Sequence, residues 1–288
     1  MNNHTLSLLI ALFVTLAGVS TSTTHAQTND TIQSSQWFDT YPKHVGFTWS
    51  ASATLTSNYI WRGLYVGGLS LQADATIGYG GLFANMWWNV GATNWAFTAL
   101  NPEVDIAIGF SRWGFQLYYI HMYYFDYYAD GTRSHFFDMH NYAPGGGGTT
   151  GEWRMAYRVS NRLPLSILVA LRTFGRDGYL LSDGTLKRAY STYIELGYDF
   201  NLPHEWTLLA RLGITPNKSL YTGYQGNFAV NMISLKLQKQ WTMNGYAIQA
   251  FAHTMLNTYN VNAQNLICPV GDAGNQKLNL AIGCTIAI

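Results

Sequence analysis

Ser134, His135, Asp138 and His140 lie within one short stretch of the 288-residue chain and carry the side-chain types of a nucleophilic triad. Groups so close in sequence on a flexible loop rarely hold nucleophile, base and orienting group in register. With Asp126, the residues His135, Asp138 and His140 also make a set of hard or borderline metal ligands. A solvated, aromatic-rich loop, folded inward or laid over a mouth, accounts for the same residues more simply. His121 and His253 stand in strand-like segments with no Ser-Asn element nearby, as packed or interfacial histidines would. Neither an enzyme nor a cofactor is expected.

A second set of charges recurs at alternate positions of strand-like segments. In "LSLQADATIGY", Leu69, Leu71, Ala73, Ala75, Ile77 and Tyr79 alternate with Ser70, Gln72, Asp74, Thr76 and Gly78. "EVDIAIGF" sets Glu103 and Asp105 against Val104, Ile106 and Ile108, and "EWRMAYRV" sets Glu152, Arg154 and Arg158 against Trp153, Met155 and Tyr157. Arg172, Glu195 and Arg211 fall in three further segments of the same kind. Period-two alternation gives each strand one apolar and one polar face. The chemistry of these charges depends on which face meets water.

Composition bears on that choice. Charged residues are 11% of the chain and aromatics 15%, with 20 Tyr and 10 Trp. A water-soluble domain carries roughly twice that charged fraction. The net charge of +1 excludes an electrostatic nucleic-acid partner. Residues 1–26 read as a signal peptide, with the apolar run "LSLLIALFVTLAGVS" and a small residue, Ala26, before the cut. Residues 27–45 are then a short periplasmic segment, and 46–288 form one β domain. Cys268 and Cys284 are both read as free.

Twelve strands can be counted, and the links between them alternate in length. Gly80-Gly81, "SRWG", "SNR", "NLPHE" and "KQWTMNG" are short. Between them stand long ones such as "SNYIWRGLYVGG", "GRDGYLLSDGTLK" and "TPNKSLYTGYQGN". Short turns at one end and long loops at the other mark an outer-membrane barrel. The reading is an all-β, transmembrane, up-and-down antiparallel barrel of about 12 strands, its apolar face in lipid. One segment, "FAVNMISLKLQ", changes parity midway, as a β-bulge would make it do. Trp49, Trp61, Trp88, Trp153 and Trp206, near strand ends, suit an interfacial girdle. The final strand ends on its apolar face at Ile288, resembling the signal read by outer-membrane assembly machinery, which usually ends in Phe.

Residues 57–91, "SNYIWRGLYVGGLSLQADATIGYGGLFANMWWNVG", resemble the opening of the TorF family of porins. Ser57, Asn58, Tyr59, Arg62, Gly63, Gln72, Asn89 and Val90 fit the family's Ser-Asp/Asn-Tyr-x-x-Arg-Gly element, Gln strand and Asn-Val strand. "PEVDIAIGFSRWGFQLYYIHMYYF" is similar to its second block, and the likeness covers roughly residues 46–127. Trp88 stands where the family often has Ser, and the Pro that often follows the Tyr run is absent. The resemblance implies an outer-membrane pore and leaves its solute open. The His-x-Ser-Asn type of element found in outer-membrane acylhydrolases is missing.

With the apolar face in lipid, the polar residues turn into the lumen. Asp74, Glu103 and Asp105 then make one wall acidic, while Arg154, Arg158, Arg172 and Arg211 make the opposite wall basic, with Glu152 and Glu195 as minority charges. Opposed walls set up a transverse field that favours dipolar or zwitterionic solutes. Arg62 falls at the outer rim, where it selects anions or pins the first loop. The expected function is a passive channel for small hydrophilic solutes, with outer-membrane lipids around it. The alternative is a salt-bridged, plugged barrel that acts through its long loops.

Overall fold

The computed structural model describes residues 46–92, 100–125, 134–143, 147–259 and 277–288. The expected signal peptide (residues 1–26), the expected periplasmic segment 27–45 and Cys268 lie outside them. Twelve antiparallel strands close into a barrel. In chain order the strands are β1 (Phe47–Thr56), β2 (Tyr59–Trp61), β3 (Leu64–Gly67), β4 (Ser70–Tyr79), β5 (Leu82–Ala92), β6 (Leu100–Arg112), β7 (Phe115–Tyr124) and β8 (Thr149–Arg158). They continue with β9 (Leu165–Gly175), β10 (Gly178–Leu180), β11 (Leu186–Arg188), β12 (Thr192–Leu202), β13 (Trp206–Thr215), β14 (Ala229–Met243), β15 (Tyr246–Asn257) and β16 (Leu278–Ala287). The hairpins β2–β3 and β10–β11 stand apart from the ring. Pairing of β1 with β16, from Ser52↔Ala287 to Thr56↔Gly283, closes it and leaves no open edge.

Alternation decides which face is which. Leu71, Ile77, Ile108, Leu280 and Ile282 are exposed on the outer surface, and Gln72, Asp74, Glu103, Asp105 and Thr285 are buried inside. An apolar outer band on closed strands is the arrangement of a barrel whose solvent is lipid, since every backbone group is already paired. Trp49, Trp153 and Trp206 lie on that outer surface. Trp61 does not. It is buried within the ring, which corrects its place in the expected girdle.

The expected alternation of links holds. One end carries two-residue turns at Gly80-Gly81, Trp113-Gly114 and Asn244-Gly245, all with positive φ at both positions. Mirror-image turns of that kind match the twist of paired strands. The bulge in β14 is also present: Gly213 pairs with Met232 but Ile214 with Val230. Asn231 is the extra residue, so Asn231 and Met232 are both buried in succession. A second shift, between Gly151 and Glu152, makes Thr173 the extra residue of β9 and sets Glu152 opposite Arg172.

The first long link departs most from expectation. Instead of standing at the rim it folds inward as β2–β3, and Ile60, Trp61, Arg62, Leu64 and Val66 are all buried. Its apolar side chains join an internal cluster with Phe83, Trp87, Tyr118, Met122, Tyr193, Tyr221, Met232 and Met255. Its base is tied to β16, where Asn58 Nδ2 donates to the Leu280 carbonyl at 2.6 Å and the Ser57 amide to that of Ile282 at 2.8 Å.

Candidate functional site

Arg62 and Gly63 form the tip of the inward hairpin, with φ of 48° and 90°. Such a left-handed backbone is costly for an arginine and is held only where the surroundings fix it. The surroundings do so from both sides. On one side the Arg62 carbonyl accepts from Asn231 Nδ2 at 3.3 Å, and the Gly63 carbonyl from Asn279 Nδ2 at 3.5 Å. The bulge in β14 is what turns Asn231 inward to make that contact. On the other side the guanidinium reaches across the lumen to β8. Nη1 and Nη2 donate to Glu152 Oε2 and Oε1, each at 2.9 Å, and Nη1 lies 2.5 Å from the Tyr221 hydroxyl. The Tyr193 ring stands 4.6 Å from the guanidinium carbon.

Glu152 is shared. Arg154 Nε donates to its Oε1 at 2.5 Å, and Arg172 Nε lies 3.8 Å from Oε2. One buried carboxylate thus holds three guanidiniums, and fork-to-fork geometry makes the Arg62 contact the most directional of them. Tyr221 belongs to a short 3-10 turn, Leu220–Thr222, whose amides at 220 and 221 are capped by Ser191 and Ser219 hydroxyls. That turn packs into the lumen from the loop between β13 and β14.

All ten residues expected to line a pore have buried side chains, and the structure groups them unevenly. Arg62, Glu152, Arg154 and Arg172 come together around one carboxylate. Arg62 lies inside the barrel rather than at its rim. Arg211 bonds Asp199 at 2.6 Å and faces Glu195 at 3.6 Å, and Arg158 faces Asp199 at 3.6 Å. The side of the lumen expected to be basic is therefore a row of ion pairs. Glu103 takes hydrogen bonds from Tyr59 of the hairpin and from Tyr124. Asp74 is held by Asn85 Nδ2 at 2.8 Å. Lys236, on β14, stands six strands round the ring from Glu103 and Asp105 on β6, directly across the barrel.

The strands carry six buried carboxylates, namely Asp74, Glu103, Asp105, Glu152, Glu195 and Asp199. Against them stand five buried cations, Arg154, Arg158, Arg172, Arg211 and Lys236.

The Ser134–His140 stretch forms no triad. The Ser134 hydroxyl donates to the Tyr124 carbonyl at 3.3 Å, and His135 and His140 are exposed. The segment lies against the outer face of β7, where His121 Nε2 meets the Phe136 carbonyl at 2.8 Å and Tyr123 donates to that of Ser134. No metal-binding group of three or more His, Cys, Asp or Glu side chains occurs among the described residues, and Asp126 lies outside them. His253 has a serine neighbour that the sequence hid, for Ser234 Oγ on the adjacent strand is 2.6 Å from its Nε2. Tyr193, Tyr221, Asn231, Asn279 and Lys236 were also missed. The bulge scrambles the parity of Asn231 and Lys236, and nothing in "TPNKSLYTGYQGN" marks Tyr221 as inward. Beyond the strands, Asp177 accepts from the Ser191 amide and hydroxyl at 2.7 and 2.5 Å. Burial pushes its carboxyl up from the ordinary range, and Arg172 pulls the other way.

No protein-family model and no curated protein matches the sequence. Among solved structures the chain is similar to a NanC porin, with 8% identity and a TM-score of 0.43 over 84% of this chain and 99% of that one. It is also similar to an outer membrane channel from Pseudomonas putida F1, with 9% identity and a TM-score of 0.44 over 86% of this chain and 97% of that one. OmpF of Salmonella typhi gives 9% identity and a TM-score of 0.38, covering 84% and 97% of the two chains.

Proposed function

We propose that the protein is an outer-membrane channel for small hydrophilic solutes, closed in this state by its own first loop. One observation carries the reading. Both amide atoms of Gln249, Oε1 of Gln238, Nδ2 of Asn257 and Oδ1 of Asn279 are buried in the barrel interior with no hydrogen-bond partner among the described residues. A core packed for stability leaves few such atoms, because each costs about 1–3 kcal/mol. A lumen that takes in water or a polar solute satisfies them from what enters. The closing element also fits, since a hairpin tied at its base and latched at its tip can leave the ring without disturbing the strand pairing. The resemblance to the TorF porins supports the reading too, since Tyr59, Arg62 and Gly63, which carry part of it, belong to this hairpin. Across the lumen, Glu103 and Asp105 opposite Lys236 would impose a transverse field on whatever passes, which suits dipolar solutes.

Liposome swelling tests it. Vesicles holding a variant in which residues 58–68 are replaced by a short turn are expected to admit glycine and small sugars quickly, and wild-type vesicles slowly. A folded variant that admits neither solute would overturn the channel and leave a sealed barrel working through its loops.

A further inference from the structure

We infer that the lumen wall facing the hairpin is a binding site for guanidinium-bearing solutes, which the chain's own Arg62 fills while the barrel is closed. The inference deepens the proposed function by naming a solute class, and the binding it describes does not depend on conduction. Subtracting the hairpin leaves the site standing. Glu152 on β8 keeps both carboxylate oxygens turned to the position of the guanidinium, 2.9 Å from each nitrogen. Tyr193 on β12 offers a ring face at 4.6 Å, and Tyr221, on the turn before β14, a hydroxyl at 2.5 Å. A forked acceptor, an aromatic face and an in-plane oxygen are what a flat, delocalised cation requires, and a spherical ammonium ion uses them poorly.

These three parts come from separate chain segments, none of them the hairpin, so departure of the hairpin leaves them in place. Arg154 and Arg172 continue to hold Glu152 in position. The occupant itself carries a sign of being placed there, for Arg62 sits in a left-handed backbone conformation, with φ of 48°. Arg62 is thus a tethered occupant that competes with the solute for its own site.

The test is a binding measurement on the purified barrel in detergent micelles. In Arg62→Ala, methylguanidinium chloride at about 10 mM is expected to raise Tm by about 3 °C, as millimolar affinity for the folded state requires. Methylammonium chloride at the same concentration should not. Wild type, whose site is filled, and the double variant Arg62→Ala/Glu152→Gln should respond to neither. An equal response in the single and double variants, an equal response to methylammonium, or no response at all would overturn the site. Should Arg62→Ala fold poorly, its refolding yield with and without methylguanidinium gives the same reading, and an unchanged yield counts against the site. Binding without solute flux would refute the channel and keep the site, and flux without binding would do the reverse.

Discussion

Arg62→Ala is expected to shift the barrel's closed-to-open equilibrium toward the open form roughly 100-fold, read as open probability in planar bilayers. The latch is a bidentate pair of fully buried partners, and truncating one partner of such a pair costs about 2–5 kcal/mol. About 2.7 kcal/mol of that range already corresponds to a 100-fold shift in a two-state equilibrium. The energy falls on the gate rather than the barrel, because Glu152 keeps Arg154 and Arg172 when Arg62 is gone. The seat of the hairpin survives too, since Asn231 and Asn279 bond the backbone at its tip, which alanine leaves unchanged. Unitary conductance of the open state should stay near that of rare wild-type openings, for the substitution alters how often the hairpin leaves and not the ring around it. Arg62→Lys, which retains the charge but not the fork, should fall between the two.

Glu152→Ala should be the most damaging single substitution in the chain. It removes the one carboxylate that Arg62, Arg154 and Arg172 share, and it strands their charges in the interior. Breaking a buried pair this way costs about 3–5 kcal/mol, against a total stability of order 5–15. Urea unfolding followed by tryptophan emission reads the loss as a lower midpoint with an unchanged slope. Glu205→Ala, on an exposed turn, should leave the midpoint in place. Adding Arg154→Met to Glu152→Ala should recover part of the loss, because it takes away one of the stranded charges and substitutes an apolar side chain.

Much of the scaffold was legible in the chain because period-two alternation has no other reading over ten-residue segments. Leu71 and Ile77 against Gln72 and Asp74 settle one strand, and repetition at the lengths a bilayer needs settles the barrel. Turns carried their own mark in Gly80-Gly81 and Asn244-Gly245. The parity change in "FAVNMISLKLQ" even located the bulge, although not its purpose of turning Asn231 toward the hairpin. What alternation cannot carry is the partner of each inward charge. Glu152 meets Arg172 through a register shift beside Gly151, and it meets Arg62 through a loop whose path no local rule dictates. A signal for that path was present all the same. Tyr59, Ile60, Trp61, Leu64 and Val66 are too apolar for a loop in water, and a buried place was the remaining use for them. Tyr221 gave no such warning.

The direct measurement is a tether on the hairpin. A Cβ built at Gly63 lies 3.4 Å from that of Met232, close to the spacing of about 3.8 Å that a disulfide spans. Cysteines at 63 and 232, placed in Arg62→Ala with Cys268 and Cys284 replaced by serine, therefore bridge the tip of the hairpin to β14. The left-handed backbone at 63 costs a cysteine about 1–2 kcal/mol, which leaves the bridge feasible. In single-channel recording the current should fall silent on oxidation and return when dithiothreitol reduces the bond. A current indifferent to the bond, with bridging verified on a gel, would contradict the hairpin as the gate.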